Sequence, residues 1–348
     1  MLAGILYGER DLRVEAAEQP EPGPGEVLLR VRRVGICGSD VHYYSHGRCG
    51  PFIPSQPFIL GHEFVATVEQ TGPGVDQPIV GDRVVANPTR SCGRCEACIS
   101  GHGNLCGRVV MLGSGSTTPP TNGAFAEYVV AGAQQCYLLP QSMDDGVGAM
   151  MEPLSVALHA IHRAGGVAGA SVLVTGGGPI GLLVAAAART LGARLVVVSE
   201  PSASRRNLAE ATGVDHVLDP CSTDFNEQAA EVSEGGFEKV FEASGVKAAV
   251  QSTMDVVCRG GTIVQIGTVG ENHVSLPVND LMLREVSLLG TFRYANEFPL
   301  AIRLAADRRI SILSDLITGV HPLQEIQQAM NQACAGESEL KVQMTLSE

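Results

Sequence analysis

The sequence predicts an α/β protein with two domains, one built on a doubly wound parallel sheet and the other formed mostly of β-strands. Three observations lead to this prediction. The chain has 348 residues, which is enough for two cores of ordinary size. A glycine-rich turn joins a strand-like run to a helix-like run near the middle of the chain. Nearer the N-terminus, four cysteines lie within a short, glycine-containing stretch.

The overall composition is that of an ordinary globular protein, and it excludes several functional classes. Hydrophobic residues make up 45% of the chain and charged residues 18%. The net charge of −13 argues against a nucleic-acid partner, because no basic stripe is available to meet phosphates. The N-terminal residues lack the pattern of a secretory signal peptide, and no apolar run is long enough to span a bilayer. We therefore expect no membrane partner.

The usage of cysteine indicates the compartment. Ten cysteines in a chain without an export signal favour metal binding or reactive thiols over disulfides. We therefore expect a cytoplasmic protein.

The four clustered cysteines predict a closed metal site. Their spacing is C-x2-C-x2-C-x7-C, formed by Cys92, Cys95, Cys98 and Cys106. Four thiolates complete the tetrahedral coordination of zinc and leave no position open for water or substrate. The alternative, four unligated thiols in a loop, is disfavoured by this spacing. We therefore expect a structural zinc lobe here and catalysis elsewhere.

A second set of donors predicts an open metal site. Cys37 follows the strand-like run EVLLRVRRVG, and His62 lies on a glycine-flanked turn before the alternating run FVATV. Both strand ends should therefore lie near one another. Considered alone, Cys37 would more often be a buried structural thiol than a metal ligand. Considered alone, His62 and Glu63 would be a solvated pair on a turn. Glu152, at the start of the predicted helix in MMEPLSVALHA, adds a carboxylate, and this donor combination matches a catalytic zinc.

The central stretch SVLVTGGGPIGLLVAAAARTLGARLVVVSE has the pattern strand, turn, helix, strand. Gly176, Gly178 and Gly181 form G-x-G-x-x-G directly after an apolar run, and Glu200 ends the next strand. In this context the motif is the fingerprint of a Rossmann domain, in which backbone amides approach a pyrophosphate. The Glu200 carboxylate would accept a hydrogen bond from a ribose 2′-hydroxyl and repel a 2′-phosphate. NAD is therefore favoured over NADP, although two nearby arginines leave NADP open.

Further strand-like runs continue the sheet of this domain. EKVFEAS, GGTIVQIG and EVSLLGTF follow along the chain. With HVLD and the first two strands they make six, as a doubly wound sheet needs. A P-loop is excluded, because no Gly-Lys-Ser/Thr follows the glycines.

In this order, these pieces resemble the zinc-dependent medium-chain alcohol dehydrogenases over nearly the whole chain. The stretches CGSDVHYY, LGHEF, EPLSVALHA and GTFRYANEFPLAI are similar to the polyol dehydrogenase branch. The stretches ANPTRSCGRCEACI, MLGSGSTTPPTNGAF and KVQMTL are most similar to the L-idonate 5-dehydrogenases. Animal sorbitol dehydrogenases lack the four-cysteine lobe, which argues against identity with those enzymes. The other branch has a cysteine where this chain has Glu152, which argues against a simple ethanol-type enzyme.

The resemblance implies an architecture. A mostly β, GroES-like catalytic domain with a structural zinc lobe would comprise residues 1–153 and 297–348, and an NAD-binding Rossmann domain residues 154–296. The active site would lie where the two meet, as cofactor sites usually do. Two zinc ions per subunit, one catalytic and one structural, and a homotetramer or homodimer are further expectations.

The resemblance also implies roles for individual residues. Cys37 and His62 would bind the catalytic zinc, with Glu63 and Glu152 as direct or water-bridged ligands. Ser39 and His42 would relay the hydroxyl proton through the nicotinamide ribose to solvent. The positions that would contact substrate hydroxyls are Tyr43, Arg293 and Tyr294. The positions that would contact the cofactor, besides the motif glycines, are Ile180, Glu200, Arg205, Ile266, Thr268 and Phe292.

The implied activity is oxidation of a secondary hydroxyl of a small sugar acid or polyol by NAD. L-idonate is the first choice of substrate, sorbitol, xylitol or another polyol the second, and butanediol or threonine the third. A non-catalytic regulator that binds NAD or zinc would require the loss of a ligand or relay residue, yet all are present. The remaining cysteines and two helix histidines are interpreted as packing or surface residues: Cys49, Cys136, Cys221, Cys258, Cys334, His159 and His162.

Overall fold

A computed structural model describes residues 1–270, 273–336 and 339–346 of the chain. The chain divides into two units, Met1–Glu152 together with Phe298–Glu348, and Pro153–Glu297. The first unit is mostly β, and the second is a parallel sheet with helices between its strands. The predicted α/β class is therefore confirmed.

The elements follow one another along the chain in three groups. The N-terminal group comprises β1 (Leu2–Gly8), β2 (Asp11–Ala16), β3 (Glu26–Gly35), α1 (Gly38–His46), β4 (Phe58–Ile59), β5 (Glu63–Thr71), β6 (Arg83–Ala86), β7 (Thr89–Arg90), α2 (Glu96–Ile99), β8 (Val110–Met111), β9 (Tyr128–Gly132), β10 (Cys136–Leu138), α3 (Asp145–Ala149) and α4 (Met151–Arg163). The central group comprises β11 (Ser171–Thr175), α5 (Pro179–Thr190), β12 (Leu195–Ser199), α6 (Ala203–Ala211), β13 (His216–Leu218), α7 (Phe225–Ser233), β14 (Phe237–Glu242), α8 (Lys247–Val256), β15 (Val257–Gln265), α9 (Val278–Leu283) and β16 (Ser287–Gly290). The C-terminal group comprises α10 (Phe298–Ala306), β17 (Ile317–Pro322), α11 (Ile326–Ala335) and β18 (Lys341–Thr345). Short 3-10 turns occur at Gly103–Leu105, Ala133–Gln135, Ser311–Leu313 and Leu323–Glu325.

The strands of the first unit form a seven-stranded sheet and smaller sheets. The large sheet has the order β10-β6-β5-β3-β18-β17, and β9 also pairs with β3. A three-stranded sheet has the order β2-β1-β4, and β7 pairs with β8. The C-terminal strand β18 thus lies directly beside β3 and pairs with it in antiparallel register. This insertion brings β18 next to the segment that carries Cys37.

The core of the first unit consists of apolar side chains on the inner faces of these strands. Leu29 and Val31 from β3, Phe64 from β5 and Met344 from β18 are fully buried together with Phe125. Each large apolar side chain removed from water contributes about 1.5–3 kcal/mol. The neighbourhood of Cys37 and His62 is therefore supported by a tightly packed sheet.

The second unit is a six-stranded, all-parallel sheet with the order β13-β12-β11-β14-β15-β16. Counted within the unit, this is the order 3-2-1-4-5-6 of a doubly wound nucleotide-binding sheet. The strands β11 and β12 are apolar along nearly their whole length because helices cover both faces of a parallel sheet. All six predicted strands are present.

A helix that crosses a bilayer needs about 20 consecutive, mostly apolar residues. Among the described residues, no helix is both long and apolar enough to cross a membrane.

Candidate functional site

The register of two strands brings Cys37 and His62 together. Gly35, the last residue of β3, pairs with Glu63, the first residue of β5. Cys37 caps the N-terminus of α1, and His62 immediately precedes β5. The preceding Gly61 has a left-handed backbone with φ of 89°, and a Cβ there would lie 2.2 Å from the Phe125 ring. The expected proximity of the two strand ends is confirmed.

Three side chains at this point can hold a metal ion. Ligand atoms of Cys37, His62 and Glu63 all lie within 4.8 Å of one another. The imidazole and the carboxylate are buried, with 2% and 1% exposure. Within the described residues, Nδ1 of His62 is buried and has no hydrogen-bond partner. Sulfur, nitrogen and oxygen donors in one place, with an unsatisfied imidazole nitrogen, fit a zinc ion.

Glu152 lies near this group but is not one of its three members. It is buried, with 4% exposure, in the first turn of α4. Its charge is close enough to contribute to raising the pKa of His62. The three donors whose ligand atoms lie within 4.8 Å of one another include Glu63 and not Glu152. Glu63 is therefore the carboxylate nearer to Cys37 and His62 in this structure.

Asp40 is a residue of the site that was not predicted from the sequence. Its carboxylate is completely buried and accepts hydrogen bonds from the backbone N–H of Cys37 at 2.9 Å and of Gly61 at 3.2 Å. It lies 3.8 Å from Nδ1 of His62. It therefore fixes the start of α1 against the turn that carries His62. The available sequence signal was an acidic residue at the third position of a helix, which is a capping position.

The charges around His62 change its protonation. Burial alone would lower the pKa of His62, but the negative charges of Asp40 and Cys37 raise it to about 10. Burial raises the pKa of Asp40 itself. A buried imidazole surrounded by acidic groups indicates a site that is complete only when a cation is present.

Lys341 is the second residue of the site that was not predicted from the sequence. Its Nζ donates to both carboxylate oxygens of Glu63, at 2.8 and 2.7 Å, and to the carbonyl of Ile36 at 3.2 Å. Lys341 is only 4% exposed. Burial alone would lower the pKa of Lys341, but Glu63 raises it, so the lysine stays charged. The lysine and glutamate form a buried ion pair directly beside the metal donors.

Helix α1 carries the residues expected to relay a proton. Ser39 is partly buried and His42 is exposed, one helical turn apart. Desolvation and the nearby His46 lower the pKa of His42, so it is readily neutral and able to accept a proton. On the same helix, Tyr43 is buried, and its hydroxyl accepts a hydrogen bond from the Gly115 backbone N–H at 3.0 Å. The structure gives Tyr43 a packing role, and its contact with substrate remains a proposal.

The four-cysteine loop converges as predicted. Ligand atoms of Cys92, Cys95, Cys98 and Cys106 all lie within 4.8 Å of one another, and all four thiols are free. A hydrogen bond from the Arg94 backbone N–H lowers the pKa of the Cys92 thiol to about 6. Thiolates are the metal-binding form of cysteine, so four sulfurs in this arrangement fit a closed zinc site.

The glycine-rich turn has the geometry that a pyrophosphate requires. It follows β11, and Gly178 caps α5 with Pro179 at the first helical position. A Cβ on Gly181 would lie 1.9 Å from the carbonyl oxygen of Gly176, so only glycine allows the helix this close to the strand. The helix N-terminus can therefore receive an anionic group.

Glu200 directly follows β12 and lies beside this turn. Its carboxylate accepts hydrogen bonds from the backbone N–H of Gly177 at 2.7 Å and of Ser202 at 2.9 Å. Arg206 forms an ion pair with Asp219 at 3.1 Å, so its charge is already used within the fold. Arg205 is the arginine whose guanidinium lies nearer to the turn, 4.0 Å from where a Cβ on Gly178 would be.

The other expected contact residues lie in the second unit, at the start of α5 and on the loops after β15 and β16. Ile180 is in the first turn of α5, and Ile266 and Thr268 follow β15. Phe292, Arg293 and Tyr294 follow β16. Tyr294 is buried and Phe292 is 42% exposed, while the guanidinium of Arg293 lies 4.7 Å from the centre of the Phe292 ring. The cofactor and substrate roles of these residues remain proposals.

Comparisons with known proteins agree with this geometry. The alcohol dehydrogenase GroES-like domain matches residues 23–141, and the zinc-binding dehydrogenase domain matches residues 179–307. Sorbitol dehydrogenase from Gallus gallus is 40% identical over 339 residues, which cover 97% of this chain and 94% of that protein. The crystal structure of L-idonate 5-dehydrogenase from Escherichia coli str. K-12 substr. MG1655 has a TM-score of 0.93 at 32% identity, covering 99% of this chain and 98% of that one. The crystal structure of short chain alcohol dehydrogenase (rspB) from E. coli CFT073, in complex with NADH, has a TM-score of 0.91 at 27% identity, covering 99% of each chain.

Proposed function

Because the chain belongs to the zinc-dependent medium-chain alcohol dehydrogenases, in their polyol dehydrogenase branch, we propose that it oxidises a secondary hydroxyl of a sugar acid or polyol with NAD. The chain is an oxidoreductase of the CH–OH class that uses zinc and a nicotinamide dinucleotide. The observation that supports the proposal most is the set of sulfur, nitrogen and oxygen donors at Cys37, His62 and Glu63.

Different residues of the chain would bind the metal ions and transfer the proton in this reaction. Cys37 and His62, with Glu63 or Glu152, would hold the catalytic zinc, and the four-cysteine loop the structural one. When bound, zinc supplies Lewis acidity at the substrate oxygen, and the nicotinamide supplies the hydride acceptor. Ser39 would accept the hydroxyl proton, and the exposed His42 would pass it to solvent.

We propose L-idonate as the substrate, oxidised at C5. Two observations support this choice: the close structural similarity to L-idonate 5-dehydrogenase, and the presence of the cation Arg293 on the loop after β16. A sugar acid carries a carboxylate that a plain polyol lacks, and an arginine can bind it in a bidentate manner. Sorbitol is the second candidate, favoured by the 40% identity to a sorbitol dehydrogenase.

The substrate proposal predicts a ranking of kcat/KM. L-idonate should exceed sorbitol and xylitol, and Arg293→Ala should reduce the L-idonate value by about ten- to a hundred-fold, more than the polyol values. The measurement is NADH formation with a panel of aldonates, polyols, butanediol and threonine. Arg303→Ala, which removes an arginine from α10, is the matched control. Equal or better turnover of sorbitol by the wild type would make the protein a sorbitol-type polyol dehydrogenase instead.

We also propose that Glu200 sets the preference for NAD. Its carboxylate lies at the end of β12, where a ribose 2′-phosphate would meet a negative charge. Glu200→Ala should raise the ratio of kcat/KM for NADP to that for NAD by about ten- to a hundred-fold. Glu200→Gln, which keeps an oxygen to accept from Gly177 but loses the charge, should raise it as well. An unchanged ratio in both variants, or a wild type that prefers NADP, contradicts the assignment. Glu210→Ala, on the exposed side of α6, is the control.

A further part of the proposal is a homo-oligomer, as a dimer or tetramer. Among the described strands, β16 pairs only with β15, so one edge of the parallel sheet is open. Apolar side chains are exposed at and beside this edge: Leu288 at 41%, Val278 at 69%, Met282 at 62% and Leu283 at 67%. An open strand edge with exposed apolar side chains is suited to pairing with the same edge of a second copy.

The oligomer proposal predicts the effect of a charge at this edge. Leu288→Lys should lower the mass measured by analytical ultracentrifugation, because a lysine on an edge strand opposes edge-to-edge pairing. Val80→Lys, at an exposed position of the first unit, should leave the mass unchanged. A mass unaffected by Leu288→Lys would exclude this edge as the interface.

Two assignments made from the sequence complete the proposal. We propose that residues 1–153 with 297–348 act as the catalytic domain and residues 154–296 as the nucleotide-binding domain. We also propose a cytoplasmic location, supported by a cysteine usage that favours metal binding over disulfides.

A further inference from the structure

The loop between β16 and α10, residues 291–297, carries side chains to which the proposed function gives contacts with substrate. Arg293 on this loop has a left-handed backbone with φ of 55°, which is unusual for a residue other than glycine. Tyr294 beside it is buried, with 1% exposure. A non-glycine residue keeps such a conformation only when its surroundings fix it. The contacts that fix this loop therefore decide where the Arg293 guanidinium lies.

The end of the loop is held by what we call the Glu297 cluster, formed by Glu297, His159 and His162. One carboxylate oxygen of Glu297 lies 2.9 Å from Nδ1 of His159 and 3.0 Å from Nδ1 of His162. The other oxygen accepts a hydrogen bond from the backbone N–H of Ala295 at 2.6 Å. Glu297 and His159 are buried, whereas the side chain of His162 is about half exposed. The carboxylate thus bonds both to a neighbouring helix and back to its own loop.

The protonation state of the cluster follows from its geometry. Burial alone would raise the pKa of Glu297, but the hydrogen bonds from His159 and His162 lower it to about 2. An ionised carboxylate only accepts hydrogen bonds, so both imidazoles carry a proton on Nδ1. The ionised carboxylate therefore holds both imidazoles through their Nδ1 protons.

The start of the loop is held by the same helix. Arg163 donates from Nε to the carbonyl of Gly290 at 3.1 Å, and the backbone N–H of Thr291 donates to the carbonyl of Gln265 at 3.1 Å. His159, His162 and Arg163 are spaced three and four residues apart and so lie on one face of α4. One face of α4 therefore holds both ends of the loop.

We propose that Glu297, bonded to His159 and His162, is a positioning residue that fixes the 291–297 loop and thereby places Arg293 for the substrate. This inference rests on the proposed function, because it assigns Arg293 to substrate binding. A purely structural cluster would contribute to thermal stability alone. A positioning residue also changes KM for the substrate, while the affinity for the nucleotide stays the same.

The test compares Glu297→Ala, Glu297→Gln and His159→Phe with the wild-type holoenzyme. Substrate kinetics with L-idonate and sorbitol, the Kd for NADH from fluorescence, and amide hydrogen exchange of residues 291–297 are measured for each. We expect Glu297→Ala and His159→Phe to raise KM for the better substrate about ten-fold or more, with a smaller change in kcat. The Kd for NADH should change by less than about two-fold, and exchange at Ala295 should rise roughly ten-fold. Glu297→Gln, which keeps the shape and one acceptor oxygen, should restore part of the wild-type KM.

Matched controls in the same unit are Glu231→Ala and His216→Ala, which remove the same residue types at exposed positions. Both should leave all three readouts at wild-type values. The double variant Glu297→Ala/His159→Phe should be no worse than Glu297→Ala alone, because the two residues act through one contact. If Glu297→Ala fails to fold, His162→Ala, at the half-exposed member, supplies the comparison with a smaller expected effect.

The outcomes separate the two proposals. Faster exchange at 291–297 without a change in KM would overturn the positioning role and leave the cluster purely structural. Unchanged exchange and KM would overturn the cluster as an anchor of the loop. A wild type that turns over no sugar acid or polyol would overturn the proposed function, and with it the substrate role of the cluster. In that case the exchange and NADH measurements still identify which proposal failed.

Discussion

Cys37→Ser is expected to abolish turnover, by about a thousand-fold or more, while the chain stays folded. Cys37 supplies the thiolate of the donor set at Cys37, His62 and Glu63, and the Lewis acidity supplied there contributes several kcal/mol to the reaction. The residue lies at the N-terminus of α1 and is only partly buried, so serine is tolerated there. The measurement is NADH formation together with thermal unfolding and zinc content.

The matched variant is Cys98→Ser, at the other metal site. It opens a closed arrangement of four sulfurs, so it should lower both the zinc content and the stability, because metal binding free energy is folding free energy. Cys221→Ser, at an exposed cysteine, should change nothing. Full stability and full zinc content in Cys98→Ser would contradict the structural assignment. Normal turnover in Cys37→Ser would contradict the catalytic one.

Lys341→Met is expected to destabilise the protein by about 3–5 kcal/mol, because it leaves the buried carboxylate of Glu63 without its partner. The ammonium contacts both oxygens of Glu63, and both residues are almost fully buried. The measurement is urea unfolding, carried out on zinc-loaded and on chelator-treated protein. Loss of stability should be larger after chelation, since a bound cation would also compensate the carboxylate.

The double variant Lys341→Met/Glu63→Gln separates the charge from the packing. Removing both charges should recover most of the lost stability, and the double-mutant cycle then gives the coupling between the two residues. Lys239→Met is the control, because Lys239 donates to the neutral carbonyl of Ala164 and hydroxyl of Thr262. A loss below about 1 kcal/mol in Lys341→Met, the size expected of a surface pair, would show that Glu63 is not held as a buried charge.

The parts of this protein that the sequence predicted are those whose residues are close along the chain. The strand, glycine turn and helix of the nucleotide module span adjacent residues, and Gly181 is required by a contact with Gly176 only five positions away. The four cysteines lie on one short loop, so their spacing alone predicts convergence. Six apolar runs predicted six strands, because a parallel sheet covered on both faces needs apolar residues on both.

The proximity of Cys37 and His62 was also predictable, because each follows or precedes a strand with a clear pattern. The charged partners of the residues at this site were not predictable from the sequence. Lys341 is 278 positions from Glu63 and reaches it only because β18 inserts beside β3. In the sequence, Lys341 is one lysine at the start of an alternating strand. The pattern alone predicts that such a lysine is exposed to solvent.

The contact between His159 and Glu297 was likewise not predictable from the sequence. They are 138 positions apart, and the helical pattern alone predicted a packing role for His159. Local pattern determines which segments become strands and helices and which short motifs bind metal or phosphate. Which buried charges face one another depends on strand order and helix packing, because a charge leaves water only where the folded chain supplies a partner, and that partner can come from any distance along the sequence.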